Sequence, residues 1–298
     1  MKKTMIATLL AASSLLGTWS NPAVAGNVFS CLPNCQGVVL SGLNLQGTNL
    51  FNIFLPTPNL NGATLSGSDI RSGNWSAVNL IGAKIDYAKL GGINLSTANL
   101  TNANLNGADL TEANLFGANL SGATLKDYAS LRGADLTSAN VSNADLSLAF
   151  LQGANLNGAN FSGANLSSAG FAKTYFGLAD LSKANLTNAS MNGANLVTTN
   201  LRGAILKGAL LERSDLTWVD LAGVNLKGAF MLRANLTFAN LSRANLSAAN
   251  LTRTNLKYAN LRGANLTKAI LKGANIKGAD FTGAKLSGAI MPDGSKHR

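Results

Sequence analysis

From Leu40 onward an apolar residue stands at every fifth position, and nothing else in the chain limits its folding choices as much. The series runs through Leu45 and Leu50 to Leu125, slips by one residue within Lys126 to Ser130, and resumes at Leu131 without a break to Met291. There are 18 such positions before the slip and 33 after it; all are apolar, and 39 of the 51 are Leu. Two residues before each, Ala fills 36 of the 51 places, and the residue between is Asn in 26 cases and Asp in 8. The unit is therefore Ala-Asn-Leu followed by two variable residues, as in Ala154-Asn155-Leu156-Asn157-Gly158.

A period of five fits neither the roughly 3.6-residue period of a helix nor the alternation of a strand. It suits one side of a coil with two inward positions. The large Leu fills the axis and the small Ala sits where the chain turns a corner. Coils stacked about 4.8 Å apart would pair backbone to backbone and satisfy their buried amides. The intervening Asn can bond to nearby backbone and stabilise the turns.

Over residues 36 to 291 this pattern resembles the pentapeptide-repeat family. The resemblance implies an all-β fold, a right-handed quadrilateral β-helix with four pentapeptides per 20-residue coil. Residues 36–291 would then form nearly thirteen coils, a solenoid roughly 60 Å long. Leu43, Thr48, Ile53 and Pro58 depart from the Ala rule, and Pro56 and Pro58 should disturb pairing. Irregular first coils with a loop near Phe51 to Pro58 are expected, and a bulge at one corner for the slip.

Residues 1–25 read as a secretory signal peptide: Lys2 and Lys3, an apolar stretch from Ile6 to Leu16, and a small-residue cleavage site at Ala23-Val24-Ala25. The expectation is an exported protein, in the periplasm of a bacterium or the thylakoid lumen of a photosynthetic source. No later run of 18 apolar residues predicts insertion into a membrane after cleavage. Residues 26–35 read as an N-terminal cap in which Cys31 and Cys35 form a disulfide, since oxidation is permitted after export. The loop they close is short, so the clip acts locally. A redox-active pair would have two residues between the cysteines instead of three. Residues 292–298 read as a mobile tail with no dedicated cap.

Several function classes lose their chemistry here. The single His, His297, lies in the tail, and two Cys cannot build a Cys-rich zinc module. No phosphate-binding glycine pattern occurs, and no metal or cofactor is expected. Asp215 and Asp220 are the surviving pair for a carboxylate-dependent, polysaccharide-active enzyme, but they should point to different sides of a corner. The reading is non-enzymatic. The best-known activity in the family is DNA mimicry by an acidic rod. This chain is basic, with 22 Lys and Arg against 13 Asp and Glu once Lys2 and Lys3 are removed, so a DNA-site mimic is not expected. Export argues against DNA as a partner.

Charge is uneven along the chain. Residues 26–200 hold 7 basic and 8 acidic side chains, residues 201–298 hold 15 and 5. Residues 20 apart should stack, which aligns Arg213, Arg233 and Arg253, with Lys173 two coils earlier. The next corner aligns Trp218, Phe238 and Tyr258, with Leu178 two coils earlier. A third outward column holds Phe150, Leu210, Phe230, Ile270 and Ile290 where Asn is the rule. The Arg and aromatic ladders form a candidate binding strip: guanidiniums for phosphate, carboxylate or sulfate, beside rings that can stack on sugars or pack on a protein. The expected partner is an envelope protein. A polyanion, either acidic polysaccharide or lipid head groups, is the first alternative, and a homodimer meeting at its ends or apolar column is the second.

Overall fold

The computed structural model describes residues 40–55 and 57–298. The signal segment, the Cys31 and Cys35 clip and Pro56 lie outside these residues. Within them each unit repeats one local solution, seen clearly around Leu236. Leu236 and Ala234 point inward and are fully buried, and Thr237 and Phe238 form the corner. The Ala239 N–H closes the turn on the Leu236 carbonyl at 3.0 Å. The third turn residue, Phe238, has φ 59° and the second does not have positive φ, the signature of a type II turn.

All five backbone donors of this unit are used. Leu236 and Phe238 donate to Asn255 and Lys257 of the next coil at 2.7 and 3.0 Å. Asn235 donates to Ser214 of the previous coil at 2.9 Å, and Ala239 closes the turn. The remaining N–H, of Thr237, goes to the Asn235 side chain at 3.2 Å. That last bond explains the Asn/Asp rule: without a side-chain oxygen there, one donor per corner has no partner within its own unit.

The residue before each Leu pairs in parallel with its counterpart four units further on, as Asn235 does with Asn255. Four turns separate each paired residue from the next, so the coil is four-sided. One side joins thirteen successive levels, from Asn44 to Lys285. Because a turn follows every paired residue, the pairing consists of isolated bridges. Among the described residues there is no regular strand and no helix. The core is one axial stack of Leu and Ala.

The inserted residue is absorbed at a corner. The Ala129 N–H closes on the Lys126 carbonyl at 3.1 Å, with Asp127 and Tyr128 both at positive φ (55° and 63°), as in a type I′ turn. Each side then takes a single step that is longer by the inserted residue, beginning with Asp109 to Ser130, and pairing is regular again from Ser130 to Phe150.

Two expectations fail. Among the described residues on either side of Pro56 the coil pairing is kept where a loop was expected: Phe54 pairs with Asn74 and Asn59 with Asn79. Pro58 sits in the small inward position, where an N–H would make only the turn bond, and its carbonyl still accepts from Asn79 at 3.0 Å. Nor is the C-terminus a free tail without a cap. Asp293-Gly294 turns the chain back, Ile290 pairs antiparallel with Lys296, and His297 donates to the Ala289 carbonyl at 2.8 Å while accepting from Gly288 at 2.9 Å. The tail thus covers one side of the last coil. Ile276, Phe281 and Leu286 on the other sides stay partly exposed.

The pairing also opens once in mid-rod. Asn200 and Asp220 do not bridge, and the N–H groups of Leu201, Gly203 and Asp220 make no backbone bond. Here Thr199 stacks on Val219 in a small inward column, the one place after residue 131 where two β-branched residues replace Ala on Ala. The extra bulk holds the two coils apart on that side.

Candidate binding surface

The structure brings both ladders together as the repeat register predicts. Arg213, Arg233 and Arg253 occupy the third turn position of successive coils, exposed, with φ 56°, 57° and 57°. Their N–H groups donate to the next coil, Arg213 to Leu232 at 3.0 Å and Arg233 to Thr252 at 3.0 Å. Lys173 occupies the same corner two coils earlier, also exposed and at φ 58°. Arg213 lies 3.6 Å from Glu212, and among the described residues Arg233 and Arg253 make no ion pair.

Trp218, Phe238 and Tyr258 line the next corner. Trp218 and Phe238 stack at 4.1 Å between centroids and 10° between planes, Phe238 and Tyr258 at 5.1 Å and 17°. The Tyr258 ring lies over Gly278, where any Cβ would collide with it. The rings therefore cover one another's faces and show their edges to solvent. This corrects the expectation of platforms for sugars: the inner faces are already taken. Trp218 alone keeps a face turned toward Thr198, and it is 68% exposed.

Left-handed φ at a non-Gly residue costs roughly 1–2 kcal/mol, and this chain places Gly at many of the same corners. Stacking offsets that strain for the rings, at about 0.5–1.5 kcal/mol per pair. The arginines hold the same conformation without a ring stack.

Between the two corners lies a side carrying Asp215, Asn235 and Asn255. Asp215 accepts from the Thr217 N–H at 3.0 Å, and Asp220, around the corner, accepts from the Ala222 N–H at 3.1 Å and from Asn240 Nδ2 at 2.9 Å. Both acids do the work that Asn does elsewhere, and the geometry does not bring them together as an acid–base pair. A shallow depression of about 510 Å³ on the far corner is lined by Arg243 and Arg262, but Arg262 already pairs with Asp280 at 3.1 Å. Among the described residues no group of His, Cys, Asp or Glu is placed to hold a metal ion.

The apolar column is also real. Leu210 pairs with Phe230, Asn250 with Ile270 and Ile270 with Ile290, and Phe230 is 51% exposed. What the column analysis of the sequence missed is its border: Lys207, Lys227 and Lys268 stand at the corner opposite the arginines. The register that aligned the arginines would have found them.

The pentapeptide-repeat family model matches in eight copies, its segments running from residue 59 to residue 288. Among solved structures, HetL, a pentapeptide repeat protein involved in heterocyst differentiation regulation from the cyanobacterium Nostoc, is 36% identical with a TM-score of 0.37, covering 85% of this chain and 92% of its own. QnrB1, a plasmid-mediated fluoroquinolone resistance protein, is 16% identical with a TM-score of 0.30, covering 57% and 92%. A pentapeptide repeat protein of the Arabidopsis thaliana thylakoid lumen is 25% identical with a TM-score of 0.16, covering 45% and 63%. No curated protein sequence matches. With the family repeat matched over most of its length, the chain belongs to the pentapeptide-repeat family.

Proposed function

We propose that the chain is an exported, non-enzymatic scaffold, wound right-handed, that presents the side between its Arg and aromatic corners to a partner protein in the cell envelope. One observation carries this: three exposed arginines at the left-handed corner position face a stack of three rings across a single side of the same three coils. A rigid, pre-organised surface of Arg and aromatic groups is what protein interfaces concentrate at their centres. Export rests on the segment from Lys2 to Ala25, and the lumenal location of one solved relative is compatible with it.

The test is capture from an envelope extract by the chain and by a variant with Arg213, Arg233 and Arg253 as Ser and Trp218, Phe238 and Tyr258 as Thr. Capture lost in the variant, with unchanged melting, supports the strip; equal capture by both overturns it. N-terminal sequencing of the protein recovered from the envelope should start at Gly26, and an intact Met1 would overturn export.

A second reading, a polyanion site, is favoured by the concentration of charge in residues 201–298, 15 basic against 5 acidic. Retention on an immobilised polyanion would then fall steeply with salt, because exposed contacts are screened.

A further inference from the structure

The side adjoining the Arg corner on its other flank differs from the remaining three. Elsewhere the outward residue before each Leu is mostly Asn or Asp, and its oxygen takes the N–H two residues on. Here Leu210, Phe230, Ile270 and Ile290 stand in those places, and only Asn250 among the five keeps the turn bond. The substitution has a backbone consequence: among the described residues the N–H groups of Leu232 and Lys272 find no acceptor. A side that gives up turn bonds in order to expose Phe230 at 51% and Ile270 at 39% is under some demand other than folding.

Its borders are basic on both flanks. Lys207, Lys227 and Lys268 line one corner, Arg213, Arg233 and Arg253 the other, all exposed. The folded-back tail extends the column by setting Lys296 against Ile290. Two acids approach this stretch of the side. Glu212 lies 3.6 Å from Arg213, and Asp293 is held by Ser295 in the closing turn. Beyond Ser190 and Gly170 the same side carries Tyr128 stacked on Phe150 at 5.8 Å, with the Arg132 guanidinium 4.2 Å from the Phe150 centroid and Asp127 at the same corner as Tyr128. The result is an apolar strip between two rows of cations, all facing one way. In helices that lie on bilayers the same arrangement puts apolar side chains among the acyl chains while cations meet the head groups.

We propose that this side docks the rod lengthwise on the surface of an anionic lipid bilayer. Phe230 and Ile270 enter the interface, and the flanking lysines and arginines contact phosphates. The free N–H groups of Leu232 and Lys272 sit beside the same cations as further donors for phosphate oxygens. The inference rests on the polyanion reading and narrows it to lipid. It uses a different side from the one between the ladders.

Co-sedimentation of the full chain with phosphatidylcholine vesicles, with and without about one third phosphatidylglycerol, tests it. The N-terminal segment with Lys2 and Lys3 is the same in the chain and in every variant, so the readout is the excess on anionic vesicles and its change between the chain and each variant. That excess should be about tenfold or more at low salt. It should fall at least about tenfold in Lys207→Gln/Lys227→Gln/Lys268→Gln. Phe230→Ser/Ile270→Ser should lower vesicle binding about tenfold while leaving retention on heparin unchanged. Changing Trp218, Phe238 and Tyr258 to Thr should leave the excess intact. No excess on anionic vesicles, an excess that survives the lysine changes, or vesicle binding untouched in the Phe230 and Ile270 variant would each overturn the proposal. If salt-sensitive heparin retention persists in that event, the polyanion reading stands and only the bilayer is excluded. If retention is also absent, both readings fall.

Discussion

At most corners a single side-chain oxygen completes the backbone's hydrogen bonding. Asn245 takes the Ser247 N–H at 3.1 Å and accepts from Asn265 Nδ2 at 3.4 Å. Asn245→Ala should therefore lower stability by about 1–2 kcal/mol in urea unfolding, and Asn245→Asp, which keeps the acceptor, by under about 0.5 kcal/mol. Equal losses would mean that the oxygen is not what matters. Where a residue breaks the pattern, its neighbour adjusts. Trp75 fills a Leu position fully buried, and Gly73 supplies the space, since a Cβ there would lie 3.2 Å from the indole nitrogen.

The C-terminal turn is sensitive to pH. The Ser295 hydroxyl and N–H both donate to Asp293, at 2.7 and 2.8 Å, and hold its carboxyl below the usual range. Asp280 is lowered likewise, first by the Thr282 hydroxyl. For groups lowered on folding, the stabilisation is complete above the unfolded value near 3.9 and disappears as pH falls through the lower folded value. Protection of the Gly288 and His297 amides, taken as exchange relative to the intrinsic rate at each pH, should therefore fall below about pH 4, before that of the mid-rod amides, and be constant around neutral pH. Asp293→Asn should flatten that dependence; an unchanged acid profile would mean that Asp293 does not hold the turn. The turn itself was readable as Pro-Asp-Gly, but the chain's return onto Ile290 was not, because the edge it pairs with exists only once the last coil is formed.

At the scale of the whole molecule the rod behaves as a stack of nearest neighbours. Deleting residues 221–240 removes one full coil and should bring Trp218 onto Tyr258 and Arg213 onto Arg253. Deleting residues 221–225 removes one side, so Trp218 loses its aromatic neighbour although the solenoid still forms. Near-UV circular dichroism should report stacking in the first variant and its loss in the second, with far-UV spectra alike. Loss of the far-UV signal in both would contradict nearest-neighbour stacking. The same reasoning identifies the opening between Asn200 and Asp220 as the weakest joint, lying where the chain changes from near-neutral to strongly basic.

The period of five by itself determined which residues face inward, where each corner falls and which side chains stack on successive coils. The contacts between successive coils after the slip repeat one local contact, so Arg213 above Arg233 and Trp218 above Phe238 could be named from residue numbers. Only the tertiary structure decided how those neighbours meet. It turned the rings face to face, so that Phe238 and Tyr258 offer edges and not platforms. It let Pro58 sit quietly in a small site, while Thr199 on Val219 forced coils apart. It also set an apolar column between lysines and arginines. Orientation, steric misfit and the pairing of a free edge depend on atoms brought together by stacking, and a one-dimensional pattern does not contain them.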